Sequence, residues 1–232
     1  MGDARGTGLG ALSAVGRCMR TENAVIVIDD LMTRLALRRP VFCSEADFQH
    51  ELAYEIRKSD PSLNVRLEWP LTTPTRGAID LVVIGETRFA LELKYLSKSF
   101  STTLDGEPVT LKQHGAHDQR RYDVCKDVAR METYAEATGS GAGVLVLTND
   151  PSYWQQRARA DTIDAAFNLS HRELTGRLAW HELAKPGTTK NRETALEIKG
   201  RYALTWRDYN HIEGRAGLFR YLWIPVASPI AR

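Results

Sequence analysis

Two apolar runs, separated by three residues, constrain this chain more than any other feature. Ala78–Ile84 (AIDLVVI) is nearly continuous and carries one acid, Asp80. Arg88–Leu96 (RFALELKYL) alternates, with Phe89, Leu91, Leu93 and Tyr95 on one parity and Glu92 and Lys94 on the other. Runs of this length and period form β-strands whose side chains point to opposite faces in turn. The intervening Gly85-Glu86-Thr87 suits a hairpin loop. A hairpin centred on Glu86 sets Asp80 directly opposite Glu92 and Ala78 opposite Lys94. Both carboxylates and the lysine then share one face, among apolar Ala78, Val82, Ile84 and Ala90.

Like charges held opposite each other across strands repel. A carboxylate pair in so apolar a setting calls for a compensating cation rather than reading as a solvated sheet face. Mg²⁺ suits it, because it takes hard oxygen ligands, keeps several waters and needs only one or two carboxylates besides phosphate oxygens. Such an ion activates water and steadies charge on a phosphodiester. Lys94 beside it would help deprotonate or orient that water and offset the developing negative charge.

The flanking sequence reads as a mixed α/β arrangement. Val25, Ile28, Leu31, Met32 and Leu35 recur at helical spacing behind a Thr21 N-cap, which predicts a helix over 22–38 ended by Pro40. Ser44 caps a second helix, 45–58, with Phe48, Leu52 and Ile56 inward. Val65, Leu67 and Trp69 alternate as a strand. Residues 97–115, rich in Ser, Thr and Gly, read as a long loop. A helix over 116–137 follows, and then a buried strand at Val144–Leu147, parallel to its neighbour after a helical crossover. Residues 154–169 look helical, 185–200 read as loop, and 201–206 and 219–226 as two more strands.

Asp80, a hairpin, then Glu92-Leu93-Lys94 resembles the D…ExK signature of the PD-(D/E)XK, or restriction-endonuclease-like, nuclease superfamily. The αβββαβ order is similar to that superfamily's common core, and the resemblance covers about residues 44–150. It implies that Asp80 and Glu92 bind Mg²⁺ (or Mn²⁺), with the Leu93 carbonyl as a further ligand, and that Lys94 is catalytic. Ile79 stands at the motif's proline position. Many members add an acid from the first core helix. Glu45, Glu51 and Glu55 compete for that place, and Glu51, one turn from Phe48 and beside Leu52, is favoured.

The expected fold is therefore an α/β domain with a mixed central sheet flanked by helices. It has a restriction-endonuclease-like core at 44–150, an N-terminal helix and C-terminal β additions over 151–232, behind a flexible tail at 1–20. The expected function is phosphodiester hydrolysis in nucleic acid, DNA before RNA. The alternative is a module of the same fold that binds nucleic acid or protein without cutting. A homodimer is compatible, since cutting both strands asks for two active sites.

Composition sets the outer limits. A net charge of +2 over 232 residues permits a nucleic-acid partner without demanding one, so local clusters must carry that argument. Arg120, Arg121, Lys190, Arg192 and Arg201 are the candidates for nucleic-acid contact, with Trp206 and Tyr209 near enough in sequence to stack on bases. Asp127, Arg130 and Glu132 read as an exposed ion-pair face, and His114, His117 and Asp118 as loop and cap residues. Cys18, Cys43 and Cys125 are scattered without metal-ligand spacing, which fits free thiols in the cytoplasm. No apolar run approaches the roughly 18 residues that span a bilayer, so no membrane partner is expected. Residues 1–20 lack the apolar stretch of a secretory signal.

Overall fold

The computed structural model describes residues 18–21, 24–71, 77–156 and 161–226. In chain order its main elements are β1 (Cys18–Thr21), β2 (Ala24–Val27), α1 (Ile28–Arg38), α2 (Glu45–Ser59), β3 (Asn64–Pro70), β4 (Ala78–Ile84), β5 (Arg88–Leu96), β6 (Phe100–Leu104), β7 (Glu107–Leu111), α3 (His117–Thr138), β8 (Gly141–Thr148), β9 (Arg172–Leu178), α4 (Pro186–Thr189), β10 (Leu196–Leu204), β11 (Trp206–His211) and β12 (Leu218–Val226). The architecture is mixed α/β. A six-stranded sheet in the order β11-β12-β8-β5-β4-β3 is antiparallel except at β5 and β8. Helix α3 makes the crossover between those two strands, as a parallel connection requires.

The parity of β5 divides the interior. Phe89, Leu91, Leu93 and Tyr95 pack with Phe48, Leu52 and Ile56 of α2 and with Leu31 and Leu35 of α1. Val82, Ala90, Val144 and Val146 pack on the other face with Val124, Val128 and Met131 of α3 and with β9 and β10. Both faces are covered, which explains why β4 and β8 read as near-continuous apolar runs. Local chemistry sets the helix ends. The Ser44 hydroxyl accepts from the Asp47 amide at 3.1 Å to start α2. Gly139, at φ 67°, ends α3 in the left-handed conformation that glycine adopts without strain.

Several expected boundaries move. The helix expected over 22–38 begins only at Ile28; Thr21 lies in β1 and pairs with Ala24, and Val25-Ile26-Val27 extend as β2. Their β-branched side chains favour a strand over a helix. Glu22 and Asn23, the expected first turn, lie outside the described residues, as do residues 1–17 of the expected tail. The loop expected over 97–115 contains the β6–β7 hairpin, turned at Asp105 (φ 48°) and Gly106 (φ 83°). Two successive positive φ angles at Asp-Gly form the two-residue turn that matches strand twist.

Among the described residues of the helix expected over 154–169, no α-helix forms. A 3₁₀ turn at Pro151–Tyr153 precedes that range and another at Ala165–Phe167 lies within it, while 157–160 lie outside the described residues. Strand β10 begins at Leu196, within the expected loop, and β9 has no counterpart among the expected strands. Among the described residues no helix is long and apolar enough to cross a membrane.

Candidate functional site

The β4–β5 hairpin has the register that its sequence implies, from Ile84↔Arg88 to Leu81↔Leu91. One more step sets Asp80 opposite Glu92, and there the two strands part. Ladder pairing ends at Leu81↔Leu91, so Ala78 does not pair with Lys94; it pairs with Pro70 of β3. The amides of β5 that would have met β4 are satisfied by carboxylates instead. Leu93 N donates to Asp80 Oδ2 at 2.6 Å, and Tyr95 N donates to Glu45 Oε2 at 2.8 Å. Two acids thus fill the opening, one from β4 and one from the first turn of α2.

Asp80 is set apart on its other side as well. Pairing between β3 and β4 passes from Leu67↔Leu81 to Trp69↔Ile79 and skips Glu68 and Asp80. Glu68 turns to φ 50°, in the left-handed region. Gln49, buried on α2, donates to Glu68 Oε1 at 2.9 Å and also to the Asp80 carbonyl. Helix α2 therefore braces the backbone of Asp80 at the point where it leaves the ladder.

Helix α3 supplies the counter-charges. Lys94 Nζ donates to the Leu93 carbonyl at 2.9 Å and lies 2.9 Å from Asp127 Oδ2. Arg130, one turn further along α3, sets its guanidinium against the Glu92 carboxylate and lies 3.6 Å from Asp127 Oδ1. Its other Nη donates to the Ala78 carbonyl at 3.4 Å. Glu92 is 0% exposed, and neither of its oxygens receives a hydrogen bond. An ionised carboxylate buried without hydrogen bonds is costly, so this group resists ionisation and is under electrostatic tension once charged.

The titration of the cluster follows from that crowding. Burial, then repulsion from Asp80 and Asp127, push the Glu92 carboxyl up to about 9, against the pull of Arg130 and Lys94. Asp80 is raised by burial, partly offset by the Leu93 amide and Lys94. Withdrawal of the Glu45 carboxylate from solvent raises it too, opposed by Lys94 and the Tyr95 amide. Burial alone would depress the Lys94 ammonium. The Asp127 and Glu45 carboxylates outweigh burial and hold it above the ordinary lysine value. Lys94 accordingly stays protonated at neutral pH.

The structure brings Asp80, Glu92, Leu93 and Lys94 together and moves other expected members away. Glu51 pairs with Arg38 on the α1 side of α2, and Glu55 is buried against Arg34 and Arg38. The first-helix acid at the opening is Glu45, because the N-terminal end of α2 lies over it. Asp127, Arg130 and Glu132 do not form an exposed face. The first two complete the cluster, and buried Glu132 accepts from the Lys199 and Gly200 amides and the Tyr202 hydroxyl, pinning an irregularity in β10. Their spacing on α3 was visible in sequence, but the face that meets the sheet was not.

The expected nucleic-acid contacts fare unevenly. Arg121 is buried against Asp164 at 3.0 Å and donates to the Ser152 carbonyl at 2.8 Å, which closes it to phosphate. Arg192 grips both oxygens of Asp123 at 2.7 and 2.8 Å. Arg201 is exposed beside Glu173, Lys190 is exposed, and Arg120 is half-buried. Trp206 and Tyr209 are buried and hydrogen-bonded to the carbonyls of Leu169 and Arg39, so neither offers a stacking surface. His114 is a loop residue and accepts from the Ser97 amide, whereas His117 and Asp118 open α3 behind an Ala116 N-cap, with His117 2.8 Å from Asp150.

Among the described residues, no three His, Cys, Asp or Glu side chains are grouped closely enough to cage a metal. The donor chemistry suits Mg²⁺ nonetheless. Two hard carboxylates meet at the opening, and the buried oxygens of Glu92 are unmet by any hydrogen-bond donor. Arg130 stands on Glu92 and Lys94 on the Leu93 carbonyl, so an ion would be held by Asp80 and Glu92 and completed by water. No family model, curated protein or solved structure matches the chain.

Proposed function

We propose that this chain is a metal-dependent nuclease of the PD-(D/E)XK type, hydrolysing phosphodiester bonds in nucleic acid, with DNA as the leading substrate. The observation that carries the reading is the meeting of Asp80, Glu92 and Lys94 where β4 leaves β5, with Glu45 beside them. The order α2-β3-β4-β5-α3-β8, with β5 and β8 parallel, supports a restriction-endonuclease-like core. Asp80 and Glu92 would hold Mg²⁺ or Mn²⁺, which when bound supplies an activated water and neutralises phosphate charge. Lys94 keeps its proton and presents positive charge where negative charge develops on the phosphate, so its part is electrostatic rather than that of a base. Asp127 holds that ammonium in place.

The test is cleavage of supercoiled plasmid, linear duplex, single-stranded DNA and RNA, each with EDTA, Mg²⁺ and Mn²⁺, beside Glu92→Gln. Cutting that needs metal and is lost in the variant is the expected result. One observation favours a second reading: Arg130 and Lys94 already neutralise part of the carboxylate charge. A module that binds without cutting needs no more than that. No cleavage of any substrate, with no calorimetric Mn²⁺ binding, would replace the nuclease with that module.

A further inference from the structure

We propose that Arg130 is the resident counter-ion of Glu92 and competes with the divalent cation for that carboxylate, so that metal loading requires the guanidinium to leave. The inference rests on the nuclease reading of the same site.

The charge count at the opening motivates it. Four carboxylates, Glu45, Asp80, Glu92 and Asp127, act on one another there, against two cations, Lys94 and Arg130. With all four ionised the cluster would carry two excess negative charges, the charge of one divalent ion; with Glu92 protonated, as burial favours in the metal-free protein, it carries one. The two cations are not equivalent. Lys94 is gripped by the Asp127 carboxylate and by the Leu93 carbonyl. Arg130 stands in an ion pair with Glu92, but its own Nε has no hydrogen-bond partner. Its remaining contacts, at 3.4 and 3.6 Å, are long.

The buried Glu92 carboxylate needs a compensating cation when it is charged, so the guanidinium can leave only where another cation takes its place. The Arg130 side chain is 25% exposed while that of Glu92 is 1% exposed, so the guanidinium has a way out and the carboxylate does not. Released, the guanidinium stands at the mouth of the same opening, a planar donor suited to phosphate oxygens.

Competition has a definite sign. Removing Arg130's charge should tighten metal binding, whereas removing a residue that merely supports the site should weaken it. Mn²⁺ titration calorimetry on the full chain, without nucleic acid, reads this directly. The expected result is binding by the wild type, none by Glu92→Gln, and binding about tenfold or more tighter by Arg130→Met. Arg130→Lys, which keeps the charge but loses the fork, should fall between them. This graded series also covers the case in which Arg130→Met fails to fold. If Arg130→Met and Arg130→Lys bind Mn²⁺ as the wild type does, or more weakly, while Glu92→Gln abolishes binding, the counter-ion role is overturned and the nuclease reading stands. If neither wild type nor any Arg130 variant binds Mn²⁺, both are overturned.

Discussion

The carboxylate of Asp80 accepts a hydrogen bond from the Leu93 amide at 2.6 Å, across the gap where β4 and β5 separate. A side chain thus replaces a backbone carbonyl as the partner of a central strand's N–H. The substitution opens the sheet without leaving the amide unmet, and it holds Asp80 at a fixed distance from Glu92. The same device recurs one step along, where Glu45 receives the Tyr95 amide.

Asp80→Asn and Asp80→Ala should therefore part company. Asparagine keeps an acceptor for Leu93 N while removing the charge, so stability stays near wild type and cleavage disappears. Alanine orphans a buried amide and should cost about 1–3 kcal/mol in addition. Urea unfolding beside plasmid cleavage checks both; equal stability of the two variants would deny the hydrogen bond its role.

Lys94→Met should lower kcat by on the order of 10²–10³-fold while leaving Mn²⁺ binding measurable, as expected of a lost preorganised charge. Asp127→Asn should cost less, because the ammonium survives but loses its anchor at 2.9 Å. Single-turnover cleavage by the two variants ranks them. The reverse ranking would make Asp127 the more direct participant.

The raised Glu92 carboxyl gives the metal-free protein a pH dependence. Its ordinary value is 4.5 and the folded value is about 9, so the folded state binds this proton more tightly than the unfolded state does. The stability it contributes is fully present below 4.5 and is lost as pH rises toward 9. Melting temperature in EDTA should fall across that window. Glu92→Gln should flatten the fall, and Mn²⁺ should restore stability at the alkaline end. A flat wild-type profile would remove the electrostatic tension argued for this group.

Arg121→Met and Glu51→Gln separate scaffold from site. Arg121 and Asp164 are each 5% exposed, and breaking such a pair leaves a buried charge, at a cost of about 3–5 kcal/mol. Glu51 is part of a half-exposed pair with Arg38 and should cost less than about 1 kcal/mol, with cleavage at the wild-type rate. Glu45→Gln, by contrast, should impair cleavage. Thermal melts and rate measurements on the three variants are decisive. Loss of cleavage in Glu51→Gln alone would return the first-helix role to Glu51.

Some of this was written in the chain. Strands β4 and β5 have the bounds that their sequence predicts, because an apolar run, strict alternation and a short glycine-led loop leave only one register that buries Leu91, Leu93 and Tyr95 together. That register alone aligns Asp80 with Glu92. The β6–β7 hairpin was obscured because its Ser and Thr residues carry no apolar alternation, although Asp105-Gly106 was a readable turn.

The strand pair, its parity and the three residues that parity gathers follow from the order of residues alone, since period-two geometry is local. The parting of the strands at Asp80, the entry of Glu45 rather than Glu51 into the gap, and the placement of Asp127 and Arg130 of α3 at the site all come from packing between distant elements. Those outcomes depend on which helix face meets the sheet. A charged residue on a helix carries the same local pattern whether it ends in water or against a buried carboxylate.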